Sequence, residues 1–261
     1  MSVTTKLIIG HLYPDLLDLY SDRGNVMILE KRARWRGIDA DVIRVDAGDD
    51  VDLRDCDLVV MGGGMDREQS LVARDLQRRR TNFEQATAEG TVVLAICGGY
   101  QLLGEYFETG AGERIPGIGL LDVYTVAGER RMVGNVMAEC ILDGRTETIF
   151  GYENHSGRTY LREGTEPWMR VVRGEGNNGR DGTEGARKGR VFGTYLHGPL
   201  LAKNPRLADR LLGLALERRG AEKLRALADR WEEAAREHLA RRLAELEGME
   251  SPHVGTGGAK K

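Results

Sequence analysis

The N-terminal part of the chain alternates short apolar runs with stretches of helical periodicity, and few folds accommodate that alternation. Lys6-Leu7-Ile8-Ile9-Gly10 has the pattern of a buried strand, and a polar loop through Ser21-Asp22-Arg23-Gly24 leads to a helix beginning near Asn25. In that helix Val26, Leu29 and Ala33 recur at helical spacing, and Gly37 is placed to end it before the run Val42-Ile43-Arg44-Val45. The unit then repeats, with a strand over 57–61, a helix from about Glu68 to Ala88 and a strand over 91–96. Repeated strand-helix-strand units imply an α/β fold built on a parallel sheet.

From about Leu121 to Val172 the texture changes to short strand-like pieces without a clear helix between them, which predicts antiparallel strands and long loops. Residues 174–182 carry four glycines and almost nothing apolar, and are read as an exposed turn or mobile loop. The strand pattern resumes over 190–195 and a helix is predicted over 204–219. Residues 221–247 predict a longer amphipathic helix with Leu224, Leu227, Trp231, Ala235, Leu239, Leu243 and Leu246 on one stripe. Such a stripe suits packing on its own domain or docking on a partner. The remaining residues, 248–261, lack a hydrophobic face and are expected to be disordered. The expected organisation is one catalytic domain over 1–220, an added helix over 221–247 and a tail.

Charge narrows the function. The 38 basic and 41 acidic residues leave a net charge of −3 with no basic stripe to track phosphates, so no nucleic-acid partner is expected. No apolar run approaches the ~20 residues of a membrane span and the first residues lack signal-peptide architecture, so a cytoplasmic location is expected. The three cysteines Cys56, Cys97 and Cys140 form no CxxC pair, and neither a disulfide framework nor a metal site is expected.

Chemistry concentrates at Val93-Leu94-Ala95-Ile96-Cys97-Gly98-Gly99-Tyr100, where an apolar strand meets a helix at a cysteine followed by small residues. This is the layout of a nucleophile elbow: a sharp turn presents the side chain, glycine allows close packing, and the helix N-terminus favours a thiolate. Cys56 and Cys140 sit in or beside apolar runs without such a turn and read as core. A second glycine cluster, Gly62-Gly63-Gly64, follows the preceding strand and emerges at the same sheet edge. The N–H of Gly98 with one from Gly63 or Gly64 makes a plausible oxyanion pair. Among five histidines, His197 lies at a strand end in Thr194-Tyr195-Leu196-His197-Gly198-Pro199, where a Cys–His pair becomes possible. His155 is the next candidate.

These segments together resemble the class I, or triad-type, glutamine amidotransferases, and more narrowly the cobyric acid synthase-like group. The likeness rests on LYSDRGN, GGGMDREQ, ICGGYQLLG, GYENHSGRTY, GNNGRDG and GTYLHGP, which occur in that order, and it runs from about residue 6 to about residue 218. The resemblance implies a flavodoxin-like three-layer α/β sandwich with a mostly parallel central sheet. It implies Cys97 as nucleophile, His197 as general base and Arg131, beside Arg130, as the arginine that binds the glutamine α-carboxylate. Many relatives carry His-x-Glu, whereas this chain reads His197-Gly198-Pro199, so the resemblance implies either a Cys–His dyad that suffices alone or a carboxylate from elsewhere, such as Glu153 or a partner chain.

No GxxxxGK[ST] loop or other nucleotide motif is present, so no cofactor is expected on this chain and ATP and Mg are expected on another polypeptide. The resemblance implies that this is a MurT-like, Mur ligase-family subunit of a heterodimer, using ammonia to amidate the D-glutamate of lipid II at the inner face of the membrane. Other readings are a glutaminase for a different acceptor, a stand-alone γ-glutamyl amide hydrolase and a regulatory module without activity.

Overall fold

The computed structural model describes residues 6–220 and 223–249. The chain divides into two units, one ending at Leu227 and one starting at Ala228. The alternation seen in the sequence becomes β1 (Lys6–Leu12), α1 (Arg23–Arg34), β2 (Asp39–Val45), β3 (Leu58–Met61), α2 (Asp66–Arg78), α3 (Arg80–Ala88), β4 (Val92–Ile96) and α4 (Gly98–Leu103). The predicted helix over 68–88 is two helices meeting at Arg79. That side chain turns inward to bond the Asp75 carboxylate and the carbonyl oxygen of Asp49 at 2.8 and 2.6 Å.

Next come β5 (Tyr106–Glu108), β6 (Arg114–Pro116), β7 (Val123–Leu142), β8 (Arg145–Leu161), β9 (Glu166–Arg173), β10 (Thr183–Lys188), β11 (Val191–Thr194), α5 (Leu200–Lys203) and α6 (Pro205–Glu217). All strands join one sheet in the order β2-β1-β3-β4-β11-β10-β9-β7-β5-β6, with β8 paired to β7. The five strands from β2 to β11 run parallel. β3, β4 and β11 are buried along their whole length, which explains why they read as unbroken apolar runs rather than alternating ones. Beyond β11 the sheet turns antiparallel, dominated by the 20-residue β7 and 17-residue β8. This is a long hairpin where short pieces and loops were expected.

Two expectations need correction. Residues 174–182 form a turn that is exposed only in part: Gly174 and 179–182 face outward, whereas Asn177 and Asn178 are 0% and 3% exposed. The Asn177 side chain bonds both the N–H and the carbonyl of Gly185, at 3.0 and 2.9 Å, and all four glycines take positive φ, closing a compact turn. The expected helix over 221–247 is instead α7 (Arg230–Met249), and residues 223–229 have no regular secondary structure. Here Leu224 packs on the core while the Arg225 carbonyl accepts from Arg36 Nε at 2.7 Å and its guanidinium donates to the Trp35 carbonyl at 3.0 Å. Those lateral bonds tie the segment to the residues that follow α1. Residues 221–222, and 250–261 of the expected tail, lie outside the described residues. No helix among the described residues is long and apolar enough to cross a membrane.

Candidate active site

Parallel register aligns the C-terminal ends of the central strands: Leu12 pairs with Met61, Met61 with Ala95 and Ile96 with Thr194. Four connections therefore leave the sheet side by side, carrying Asp22, Gly62-Gly63-Gly64, Cys97 and His197. This is the edge at which open parallel sheets bind ligands.

Cys97 forms the expected elbow between β4 and α4. Its backbone has φ 50° and ψ −106°, a left-handed conformation for a residue with a Cβ. Such a conformation is strained by about 1–3 kcal/mol and persists only where the surroundings impose it. Here the Cys97 N–H is held by the Thr194 carbonyl at 2.7 Å and the Gly99 N–H by the Gly62 carbonyl at 3.1 Å. The glycines are required by close approach. A Cβ on Gly98 would lie 2.8 Å from the Gly64 nitrogen, and one on Gly99 would lie 2.7 Å from the Gly62 oxygen.

His197 is fully buried and lies in an antiparallel bridge with Tyr152 of β8. Its Nδ1 sits 3.1 Å from each carboxylate oxygen of Asp22, which is itself 1% exposed. With the Nδ1 proton donated to Asp22, the Nε2 lone pair is left for another proton, and Nε2 has no hydrogen-bond partner among the described residues. Burial pulls the imidazole pKa down. Negative charge on Cys97 and the hydrogen bond to Asp22 more than offset this, and hold it above its ordinary value. Asp22 thus places a carboxylate on His197 where the residues after His197 supply none. It is brought in by the first βα loop, where the glycine at position 24 lets Pro199 approach and Asn25 Oδ1 accepts the Leu201 N–H at 2.9 Å.

Glu153 does not fill that role. Its two oxygens accept the N–H groups of Glu175 and Gly176 at 2.9 and 3.0 Å, tying down the glycine-rich turn. His155 likewise faces inward, stacked on Tyr195 with ring centroids 3.6 Å apart and its Nδ1 on the Gly157 carbonyl at 2.9 Å. Cys56 and Cys140 are buried free thiols that burial pushes up to about 12.

Gly63 lies at the centre of the group. A Cβ there would meet His197 Cε1 at 2.9 Å, Cys97 Cβ at 3.2 Å and Asp22 Oδ2 at 3.3 Å. Its N–H already donates to Asp22 at 2.8 Å, so of the two glycines considered as oxyanion donors Gly64 is the one left free to act with Gly98. Gly63→Ala is expected to lower the activity of the site by about 100-fold, the scale of a 1 Å misplacement. Turnover measured alongside an unchanged circular dichroism spectrum checks this, and near-normal turnover would contradict the packing argument.

The two arginines of the β7–β8 hairpin are distinguished by their partners. Arg130 is taken by Glu175 at 2.7 Å. Arg131 donates through Nε and an Nη to the side-chain and main-chain oxygens of Asn154, each at 2.9 Å, and the Asn154 amide in turn donates to the Tyr20 hydroxyl. The Tyr20 ring lies edge-on to His197 at 4.9 Å. Arg131 is thus linked to the mouth of the site and Arg130 is not. No group of three or more His, Cys, Asp or Glu among the described residues is arranged to hold a metal ion.

Comparison with known proteins gives the family and the fold. The model of the CobB/CobQ-like glutamine amidotransferase domain matches residues 8–205. The GatD subunit of the lipid II isoglutaminyl synthase (glutamine-hydrolyzing) of Staphylococcus aureus (strain N315) is 41% identical over 82% of this chain and 86% of its own length. The subunit of the same name from Streptococcus pneumoniae (strain ATCC BAA-255 / R6) is 40% identical over 82% of both chains. A cobyric acid synthase of Pelotomaculum thermopropionicum is 34% identical over 78% of this chain but only 45% of that longer protein. Among solved structures, PurLQS from Thermotoga maritima superposes with a TM-score of 0.55 at 18% identity, over 82% of this chain and 96% of that one. A crystal structure of a glutamine amidotransferase gives 0.54 at 19% identity, over 79% and 98%. At such identities the structural likeness speaks to the fold, which is the class I amidotransferase-like α/β fold expected from the sequence.

Proposed function

Because the chain belongs to the CobB/CobQ-like glutamine amidotransferase domain family, we propose that Cys97, His197 and Asp22 form its glutaminase centre. The observation that carries the proposal is the buried His197–Asp22 pair beside a cysteine held on a strained elbow. The Cys97 thiolate attacks the side-chain amide carbon of L-glutamine, and the N–H groups of Gly64 and Gly98 receive the negative charge that develops on oxygen. His197 delivers a proton from Nε2 to the departing ammonia. It then takes one from the water that hydrolyses the glutamyl thioester, while Asp22 holds the ring and its charge in place. Arg131 binds the substrate α-carboxylate through its planar fork.

Ammonia is useful only against an activated acceptor, and this sequence has no recognisable nucleotide-binding motif. The relatives named GatD are subunits of enzymes that act on lipid II, and the 41% identity supports the same assignment here. The partner is then a MurT-like ligase that binds ATP and Mg, activates the D-glutamate carboxyl of the lipid II stem and receives ammonia from Cys97 to give D-isoglutamine. The test is reconstitution of the full chain with a Mur ligase-like partner, lipid II, glutamine, ATP and Mg. Mass spectrometry should find the stem about 1 Da lighter, as expected when a carboxyl becomes a carboxamide, only when both proteins are present. An unmodified stem alongside active glutamine hydrolysis would point to a different acceptor.

A further inference from the structure

The centre is closed, with Cys97 6% exposed and His197 fully buried, so a glutamine molecule reaches the sulfur only if part of the cover moves. Against its histidine lies the side chain of Tyr20, in the turn Leu19–Ser21 immediately before Asp22. Its ring lies edge-on to His197 at 4.9 Å and to Tyr152 at 6.0 Å, while 45% of the residue remains exposed. Tyr20 and Ser21 have φ of 54° and 62°, two successive left-handed residues with side chains, a strained turn that directly precedes Asp22. The turn is anchored from below by the Leu19 N–H on the Gly63 carbonyl at 3.1 Å.

The hydroxyl of Tyr20 leads on to Arg131. Asn154 donates its amide to that hydroxyl and offers its side-chain and main-chain oxygens to the Nε and Nη of Arg131, each at 2.9 Å. Two oxygens on one edge of a guanidinium make the pattern of a bound carboxylate, so Asn154 occupies the positions that a substrate carboxylate would take. We propose that Tyr20 and Asn154 form a substrate-displaced cover, in which the glutamine α-carboxylate replaces Asn154 on Arg131 and thereby releases Tyr20 from above His197. This rests on the reading of Cys97 and His197 as the catalytic pair and adds two positioning residues to it. It also supplies a basis for selecting amides that carry a free α-carboxylate, because an amide without one leaves the cover in place.

The test is the rate at which iodoacetamide, a small neutral reagent, alkylates Cys97 in the full chain, read by peptide mass spectrometry with and without glutamine. Cys56 and Cys140 serve as slow internal references, since they are 0% and 5% exposed. Tyr20→Phe keeps the ring but cuts its link to Asn154, and is expected to speed alkylation several-fold and to lower KM for glutamine, since less must be displaced when the substrate binds. Tyr20→Ala should speed it further and also lower kcat. Asn154→Asp places a permanent carboxylate on Arg131 and should raise KM for glutamine by about tenfold, the equivalent of 1.4 kcal/mol of lost binding. A residue that merely stabilised the fold would lower Tm and leave these ratios unmoved. If all three variants match the parent in alkylation rate and KM while Cys97→Ala is inactive, the cover is disproved and the catalytic centre stands. If Cys97→Ala still hydrolyses glutamine, the centre itself falls and the cover with it.

Discussion

Cys97→Ala is expected to abolish glutamine hydrolysis, with turnover falling by at least about 10⁴-fold, because the covalent intermediate cannot form without the sulfur. The elbow makes this a clean experiment. Cys97 holds a left-handed backbone at φ 50°, and alanine retains the Cβ that makes this conformation unfavourable. Cys97→Gly removes that strain and should unfold at a temperature no lower than the parent, while being equally inactive. A pair of variants that are both inactive, one of them undiminished in Tm, separates lost chemistry from lost folding. The measurement is glutamate release, in the presence of the ligase partner if the isolated chain turns over slowly. A Cys97→Ala protein that retained a tenth of the parent rate would mean that the nucleophile lies elsewhere.

The elbow was legible in the sequence because everything that makes it is local: a buried strand, one cysteine, two glycines and a helix start lie within a few residues. The same holds for the alternation that gives the parallel sheet, and for His197 at the end of β11. Asp22 reads in sequence only as part of a polar loop, since its partner is 175 residues away and the meeting depends on strands β1, β3, β4 and β11 lying in register. A carboxylate was sought beside His197 in sequence, whereas the sheet supplies it from the first βα connection. Glu153 was a reasonable alternative by proximity to His155, but its oxygens are committed to the main chain of the turn it closes. The buried half of that turn is illegible in sequence for a related reason. Glycine and asparagine normally signal exposure, yet Asn177 satisfies buried main-chain groups that water would otherwise reach. The helix over 221–247 failed where lateral hydrogen bonds from Arg36 and to Trp35 outweigh an apolar stripe, a long-range effect that periodicity does not register.

Asp22→Asn carries the second large effect, an expected fall in kcat of about 10³–10⁴-fold, the size associated with the orienting carboxylate of a hydrolase triad. Asp22 accepts from two donors at once, the Gly63 N–H at 2.8 Å and His197 Nδ1 at 3.1 Å. Asparagine has one acceptor oxygen and turns an NH₂ group toward whichever donor loses it. If Gly63 keeps the oxygen, the imidazole faces a donor and adopts the tautomer with its proton on Nε2, where it cannot accept one from Cys97. The variant also leaves the imidazolium without its counter-charge. Because Asp22 helps to raise the His197 pKa, the protonated ring contributes stability that is fully present below the unfolded value of 6.5 and fades as pH rises through the higher folded value. Removing Asp22 lowers that folded value. The Tm difference between parent and Asp22→Asn should therefore be largest at mildly acidic to neutral pH and shrink as the solution becomes alkaline. Turnover and Tm measured across that range test both halves together. A variant with near-parental kcat, or a Tm difference that widens with rising pH, would mean that Asp22 is a packing residue and that His197 takes its orientation from the Tyr152 bridge alone.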